Sequence, residues 1–200
     1  MSFRRGVKMA MGALAALGMA ASAAAAQRET MDIGDEPGRV STGEASIVSG
    51  PFARQLVFFR TQEAAGTVVV HTSERFLYVV LGNNRALRYG IGVGRDGFQW
   101  SGLVKITRKA EWPDWTPPPE MIARQPYLPR FMAGGPGNPM GARALYLGST
   151  VYRIHGTNQP ETIGHAISSG CFRLANGDVI DLYERVPLGA KVVIRHAATL

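Results

Sequence analysis

Short apolar runs separated by turn residues dominate the chain between residues 67 and 108. They follow one another at 67–72, 75–81, 86–93 and 102–108. The runs are rich in β-branched and aromatic residues, and Gly82-Asn83-Asn84 lies between the second and the third, a pattern typical of antiparallel hairpins. Further apolar runs at 56–59, 144–154 and 191–195 also predict strands. The pattern indicates a mainly β fold.

One helix is predicted near the end of the chain. Apolar residues recur there at helical spacing, with Val179 and Leu182 on one face. Asn176 is a residue type that caps helix N-termini, and Pro187 cannot continue a helix. We therefore predict a single well-defined helix between these two positions.

Residues 111–142 break the strand rhythm with eight prolines. A segment this long without regular structure is often a lid or a binding loop. Trp112, Trp115 and Tyr127 lie within it and are candidate substrate-binding residues. The other interpretation, that these aromatic side chains only anchor an insertion to the core, remains open.

The first 26 residues have the order of a secretory signal peptide. Arg4, Arg5 and Lys8 precede an apolar stretch at 9–21, which is followed by small residues at 23–26. The apolar stretch is too short to favour a spanning helix, although an uncleaved anchor remains an alternative. We expect an exported protein with no stable membrane span after cleavage.

The rest of the chain is expected to form one domain, because 200 residues that are 46% hydrophobic suit a single core. We divide the chain into a signal peptide (1–26), an extended leader or linker (27–65) and a globular domain (66–197). Loss of the three basic signal residues would lower the formal net charge from +7 to +4. Export and this modest charge favour an anionic wall polymer over nucleic acid as a partner.

Cys171 is the single cysteine, so an internal disulfide is excluded. It is either a small buried hydrophobic residue or a reactive thiol. His155 ends a predicted strand sixteen residues earlier. A neighbouring histidine can take the thiol proton and return it to a leaving amine.

Three further residues around Cys171 suit acyl transfer. Backbone N–H groups of Ser169 and Gly170 could face a developing oxyanion, since glycine permits close approach. Arg173 could support a thiolate or hold a substrate carboxylate. From the residues alone, structural roles for His155 and Arg173 stay open.

The segment His155-Gly156-Thr157, followed by Ser168-Ser169-Gly170-Cys171-Phe172-Arg173-Leu174, closely resembles the signature of L,D-transpeptidase catalytic domains (YkuD-like). Segments 89–95, 112–118 and 138–143 also resemble landmarks of that family. The resemblance covers roughly residues 66–196. It implies a mainly β, sandwich-like or barrel-like domain with one or two short helices and a long Pro-rich loop.

The resemblance also implies the chemistry. Cys171 would attack the carbonyl between the L-centre of diaminopimelate and the terminal D-alanine of a tetrapeptide stem, with His155 as general base and acid. Arg173 would support the site, and Ser169 and Gly170 would form the oxyanion hole. Many family members carry a histidine where this chain has Ser169, so a second histidine role is either absent here or falls to His165, whose other interpretation is a plain loop residue.

The remaining expectations concern binding and partners. Gly156 and Thr157 join His165 as candidate substrate-binding residues. We expect no cofactor and no metal. The expected partners are peptidoglycan stem peptides, and a wall-anchored lipoprotein or an outer-membrane protein is a further candidate acceptor. The expected location is a Gram-negative type periplasm. Carbapenems are the expected inhibitors. The alternatives are a hydrolytic family member (an L,D-carboxypeptidase or an amidase releasing a wall-linked lipoprotein) and a non-catalytic peptidoglycan-binding domain.

Overall fold

A computed structural model describes residues 48–196, and the predicted signal peptide lies outside the described residues. The two helices are α1 (Pro119–Arg124) and α2 (Asn176–Arg185). The strands, in chain order, are β1 (Gln55–Phe58), β2 (Val68–His71), β3 (Phe76–Gly82), β4 (Arg85–Gly90), β5 (Val93–Gly94), β6 (Gly102–Glu111), β7 (Arg143–Leu147), β8 (Arg153–His155), β9 (Ala166–Ser168), β10 (Phe172–Arg173) and β11 (Lys191–Arg195).

Nine strands form one mixed sheet in the order β1-β4-β3-β2-β11-β6-β7-β8-β10, and β5 pairs with β9 separately. Two pairings in the large sheet are parallel, β11 with β2 and β10 with β8. Each joins strands that are distant in sequence. These pairings therefore depend on tertiary contacts rather than on local turns.

The long strand β6 links the two halves of the sheet. Its first part, Gly102–Lys105, pairs with β11, and its later part, from Ile106 onward, pairs with β7. The register of the second pairing shifts between Ile106 and Arg108. Such an irregularity bends a strand, and here it coincides with the change of partner.

The main core is built from both halves of the sheet. It includes the inward residues of β2, Val68 and Val70, together with Val179 and Leu182 on the buried face of α2. Strand residues alternate between faces, so Val69 of β2 belongs instead to a second, smaller cluster with Tyr78. One sheet face thus carries the core, and the other carries this smaller cluster.

The structure confirms the mainly β architecture with two short helices, but the sheet is not a closed barrel. The strands β1 and β10 are its two ends. The predicted hairpin between β3 and β4 is present, with Asn83 and Asn84 at φ 52° and 56°. Two consecutive left-handed residues match the right-handed twist of the flanking strands, and asparagine tolerates that conformation.

Two local predictions were wrong. The run at 144–154 is not one strand, because the chain turns between β7 and β8 at Gly148, whose φ is 59°. The N-cap of α2 is Ala175 rather than Asn176. The Asn176 side chain instead accepts a hydrogen bond from the Ala142 backbone N–H at 2.9 Å, so it ties the helix start to the segment before β7.

Within residues 48–196, no helix is long and apolar enough to cross a membrane.

A buried carboxylate lies in the first turn of α2. Asp178 is 1% exposed, and its Oδ1 lies 3.7 Å from Nε of Arg54. Nη1 of the same arginine lies 3.1 Å from Oδ2 of Asp181. Burial raises the pKa of Asp178 to about 6, the Arg54 guanidinium opposes this shift, and the Asp181 charge reinforces it. The folded protein therefore binds a proton at Asp178 more readily than the unfolded chain does.

We expect Asp178→Asn to stabilise the protein above pH 6 and to have little effect near pH 4. The raised pKa means that wild-type stability falls as pH rises from about 4 to 6, and the neutral variant lacks this loss. The gain at pH 7.5 should be on the order of 1–3 kcal/mol. Denaturant unfolding of both proteins across pH 4–8 measures it. A pH-independent difference would contradict the assignment.

Candidate active site

The parallel pairing of β8 with β10 brings the predicted catalytic residues together. Arg173 lies opposite His155 in this register, and the Leu174 backbone N–H donates to the His155 carbonyl at 2.8 Å. On its other side, Arg173 exchanges two backbone hydrogen bonds of 2.9 Å with Gly92. Cys171 directly precedes β10, so its position is set by the strand that follows it.

The turn that carries Cys171 is held by its own backbone and one serine. The Ser168 hydroxyl donates to the Cys171 carbonyl at 2.7 Å and accepts from the Gly170 N–H at 3.2 Å. Trp100 Nε1 donates to the Gly170 carbonyl at 2.9 Å. Because the Gly170 N–H is engaged by Ser168, its predicted use as an oxyanion donor would require this bond to open.

Gly170 has φ 107°, a conformation that side-chain-bearing residues rarely adopt. A Cβ at this position would lie 2.4 Å from Cε1 of Tyr152. The Tyr152 ring stacks on Trp100 at 4.6 Å between centroids, so it cannot easily move aside. The turn therefore requires glycine on two independent grounds.

The surroundings of His155 favour a neutral imidazole. Its Nδ1 lies 2.6 Å from the Gly156 carbonyl oxygen. Because a carbonyl oxygen can only accept, this contact favours the tautomer that carries the proton on Nδ1. Burial, followed by the charge of Arg173, lowers the pKa of His155 to about 3, with a smaller contribution from Arg153, against the opposing carbonyls of Gly156 and Met140. The imidazole is therefore neutral, with a proton on only one of its nitrogens, at neutral pH.

His155 and Cys171 line the same cleft, which has a volume of about 70 Å³. Arg153 and Arg173 are its charged lining residues, and of the described residues no aspartate or glutamate lines it. The other lining residues are Trp115, Pro118, Met121, Pro139, Met140, Val151, Tyr152, Ser168 and Ser169. Apolar side chains in this lining surround the positive charges of Arg153 and Arg173. This combination favours an anionic ligand with an apolar portion.

The Pro-rich segment forms one wall of this cleft. Trp115 and Met121 line it and also belong to a small cluster that packs on Ala144 of β7. Asn138 is 1% exposed, and its side-chain amide donates to the carbonyls of Met132 and Ala133. The segment is thus both anchored to the domain and part of the cleft, which combines the two interpretations from the sequence.

A larger chamber of about 560 Å³ adjoins the cleft and shares Ser169 and Arg153 with it. Arg124, at the end of α1, lines this chamber and donates from Nη2 to the Ser169 hydroxyl at 3.3 Å. The Arg124 guanidinium also lies 5.1 Å from the centroid of the Phe98 ring. The chamber holds two arginines and one acid, Glu120, so it extends the positive character of the cleft.

The structure does not bring all of the predicted site residues into the cleft. Three predicted residues line neither the cleft nor the adjoining chamber: Trp112, Tyr127 and His165. Tyr127 is 58% exposed. Gly156 and Thr157 line neither the cleft nor the adjoining chamber, and a Cβ on Gly156 would meet Asn176 Oδ1 at 2.4 Å. Their predicted binding roles remain predictions.

Several lining residues were missed by the sequence reasoning. Arg153 precedes His155 by two positions in the same strand, so strand alternation could have placed both on one face. Arg124 and Tyr152 had no comparable signal, because their distance to the cysteine turn depends on how the Pro-rich segment and the β7–β8 turn fold back.

The family model of the L,D-transpeptidase catalytic domain (YkuD) matches residues 65–194. The chain belongs to this family. Its match includes every strand that builds the cleft and both residues proposed for the chemistry.

Among the relatives of this L,D-transpeptidase domain is the Probable L,D-transpeptidase ErfK/SrfK of Escherichia coli (strain K12), which is 40% identical over 134 residues. The match covers 64% of this chain and 43% of that protein. The chain therefore spans less than half the length of this relative.

Two solved structures share the fold. A Brucella melitensis protein described as a probable carnitine operon oxidoreductase is 45% identical, with a TM-score of 0.50, covering 76% of this chain and 96% of that one. An L,D-transpeptidase from Mycobacterium smegmatis has a TM-score of 0.52 at 14% identity, covering 64% of this chain and 58% of that one. At that identity, the second likeness concerns the fold alone.

We expect Gly170→Ala to slow carbapenem acylation of Cys171 by about a hundredfold or more, since a displacement of about 1 Å can cost that much. Gly189→Ala is the matched control, because its φ is 81° but nothing lies within 4 Å of an added Cβ. Time-resolved mass spectrometry of both variants gives the rates. Equal rates would show that the Tyr152 contact does not hold the turn.

Proposed function

We propose that the chain is an exported peptidoglycan L,D-transpeptidase with Cys171 as nucleophile and His155 as general base and acid. The observation that carries this proposal is the cleft itself. Cys171 and a buried, neutral His155 line it together, next to two arginines and no acidic residue of the described chain. Membership of the L,D-transpeptidase family supports the reaction class.

The reaction begins with proton transfer from the Cys171 thiol to Nε2 of His155. The sulfur attacks the carbonyl between the L-centre of diaminopimelate and D-alanine, and the C–N bond breaks as His155 returns the proton to the departing D-alanine amine. A thioester to Cys171 remains. An acceptor amine then attacks the thioester, transfers its proton to His155, and releases the thiol with a new amide bond.

The imidazolium formed in the first step is transient. Burial and the Arg173 charge disfavour a protonated His155. Transfer of the proton from His155 to the departing amine is therefore favourable. The thiolate or the developing oxyanion supplies the opposite charge within the same cleft. The site therefore suits a brief ion pair during reaction better than a stable one at rest.

The charge of the cleft suits the proposed substrate. Stem tetrapeptides carry free carboxylates at diaminopimelate and at the terminal D-alanine. Arg153 and Arg173 lie beside the nucleophile, and Arg124 lies in the adjoining chamber. Guanidinium groups bind carboxylates through paired hydrogen bonds, so we assign these residues to substrate orientation.

The location and the acceptor complete the proposal. The signal-like residues 1–26 support export, and stem peptides of the wall are the donors. A neighbouring stem, a wall-anchored lipoprotein or an outer-membrane protein would supply the acceptor amine. If water takes the place of the amine, the same acyl-enzyme gives carboxypeptidase activity.

We expect Cys171→Ala to abolish the covalent adduct that the wild-type protein forms with a carbapenem, because the variant lacks the sulfur. A mass shift equal to one carbapenem, found by intact-protein mass spectrometry, measures it, and circular dichroism shows that the variant is folded. A persisting adduct on the variant would place the nucleophile elsewhere.

A matched histidine pair tests the base. His155→Gln should slow acylation by about a hundredfold or more, the range of general-base catalysis. His165→Gln should leave the rate unchanged, because His165 is exposed and outside the cleft lining. If both variants acylate at the wild-type rate, His155 is not the base.

Incubation of the wild-type protein with disaccharide-tetrapeptides distinguishes transfer, which gives dimers, from hydrolysis, which gives tripeptides.

A further inference from the structure

A second pocket lies on the sheet face away from the main core. It has a volume of about 530 Å³ and is lined by Phe59, Arg60, Thr61, Gln62, Glu63, His71 and Arg195. We call it the outer pocket. Within the described chain, it shares no lining residue with the catalytic cleft or its adjoining chamber. Its volume falls in the range of small-molecule sites, roughly 300–1,000 Å³.

A buried imidazole forms part of the outer pocket. His71 is 6% exposed, and neither ring nitrogen makes a hydrogen bond with the described residues. Its Nδ1 lies 3.2 Å from Oε2 of Glu74, within ion-pair distance but not aligned for a hydrogen bond. A buried polar group without a hydrogen-bond partner is costly, and few native groups remain so. Because Nδ1 already lies beside Glu74, Nε2 is the nitrogen suited to a ligand that enters the pocket.

The rest of the pocket lining defines the ligand's chemistry. Arg60 is exposed, and it makes no hydrogen bond or ion pair with residues 48–196. Glu63 is engaged by Lys191 at 2.6 Å and by Arg195 at 3.5 Å, so its charge is already neutralised. Among the described residues, the pocket thus offers the cation of Arg60 without an ion-pair partner, and an anion, Glu63, that is already paired.

The pocket also has an apolar wall. The Phe59 ring stacks on Tyr78 with centroids 4.4 Å apart, and its centroid lies 5.9 Å from that of His71. A ring fixed in this way can pack against the C–H face of a sugar, and the Gln62 amide lies at the same rim. An aromatic wall, an imidazole that can hydrogen-bond, an amide and an exposed guanidinium together match a saccharide that carries a carboxylate.

We propose that the outer pocket binds the glycan strand of peptidoglycan at an amino sugar whose carboxylate carries no stem peptide, with Arg60 on the carboxylate, His71 and Gln62 on hydroxyl or amide groups, and Phe59 on the sugar face. The choice of glycan rests on the proposed function. The pocket would hold the enzyme to the strand at a site separate from the one that acts on stem peptides.

The test uses the full chain carrying Cys171→Ala, so that no acyl transfer competes. Peptide-free glycan strands are titrated and followed by NMR and calorimetry. We expect shifts at Phe59 and His71 and an affinity about tenfold lower for Arg60→Gln, the loss typical of a charged hydrogen bond. Arg85→Gln is the matched control, an exposed arginine outside the pocket, and should bind as the parent does.

A second variant and a second ligand sharpen the result. His71→Phe keeps the aromatic packing but removes both nitrogens, and should also weaken binding. An N-acetylglucosamine oligomer, which lacks the carboxylate, should bind the parent about as weakly as the glycan binds Arg60→Gln. Absence of glycan shifts at millimolar concentration, equal affinity in both arginine variants, or the same shifts with stem peptide alone would overturn the proposal.

Carbapenem acylation of the Arg60→Gln enzyme with Cys171 intact separates this proposal from the proposed function. Acylation at the wild-type rate, together with weakened glycan binding, is the expected result. If acylation falls in parallel with glycan binding, the outer pocket acts through the fold and not as a separate site, and the inference fails. Failure of acylation in the wild-type protein would contradict the proposed function alone.

Discussion

The pairing of two very short parallel strands holds the candidate active site together. Strand β8 ends in His155, β10 begins one residue after Cys171, and Arg173 lies opposite His155 in their register. Few backbone hydrogen bonds join such short strands, so the pair depends on its neighbours. Gly92 bonds to one side of Arg173, and β7 pairs with the other side of β8. The chemistry is thereby fixed by backbone geometry on both sides rather than by side-chain contacts alone.

Burial gives the same region its electrostatic character. His155 is surrounded by protein and lies near two arginines, so its neutral form is favoured. The arginines stay charged under all ordinary conditions, and the described lining of the cleft has no acid to offset them. In the proposed reaction, a substrate carboxylate would supply the opposite charge.

The sequence was informative wherever one segment carried its own signal. The motif around Cys171, the Asn83-Asn84 turn and the amphipathic face of α2 are local patterns, and the structure places each in the predicted element. Prediction failed where tertiary contacts decide. Asn176 is a residue type that caps helices, but its side chain instead accepts a hydrogen bond from the Ala142 N–H. Arg124 reaches Ser169 only because the Pro-rich segment packs on β7, and nothing in the local sequence indicates that approach.

The position of β11 has a consequence for how the protein forms. This strand is the last of the described chain, yet it lies inside the sheet, between β2 and β6. Without residues 191–195, no strand joins β2 to β6 in the sheet, so each of these two strands has an exposed edge. Pairings between such distant segments form slowly because the loop must close first. A chain that stalls or is clipped before this strand would therefore present two unpaired edges prone to association with other chains.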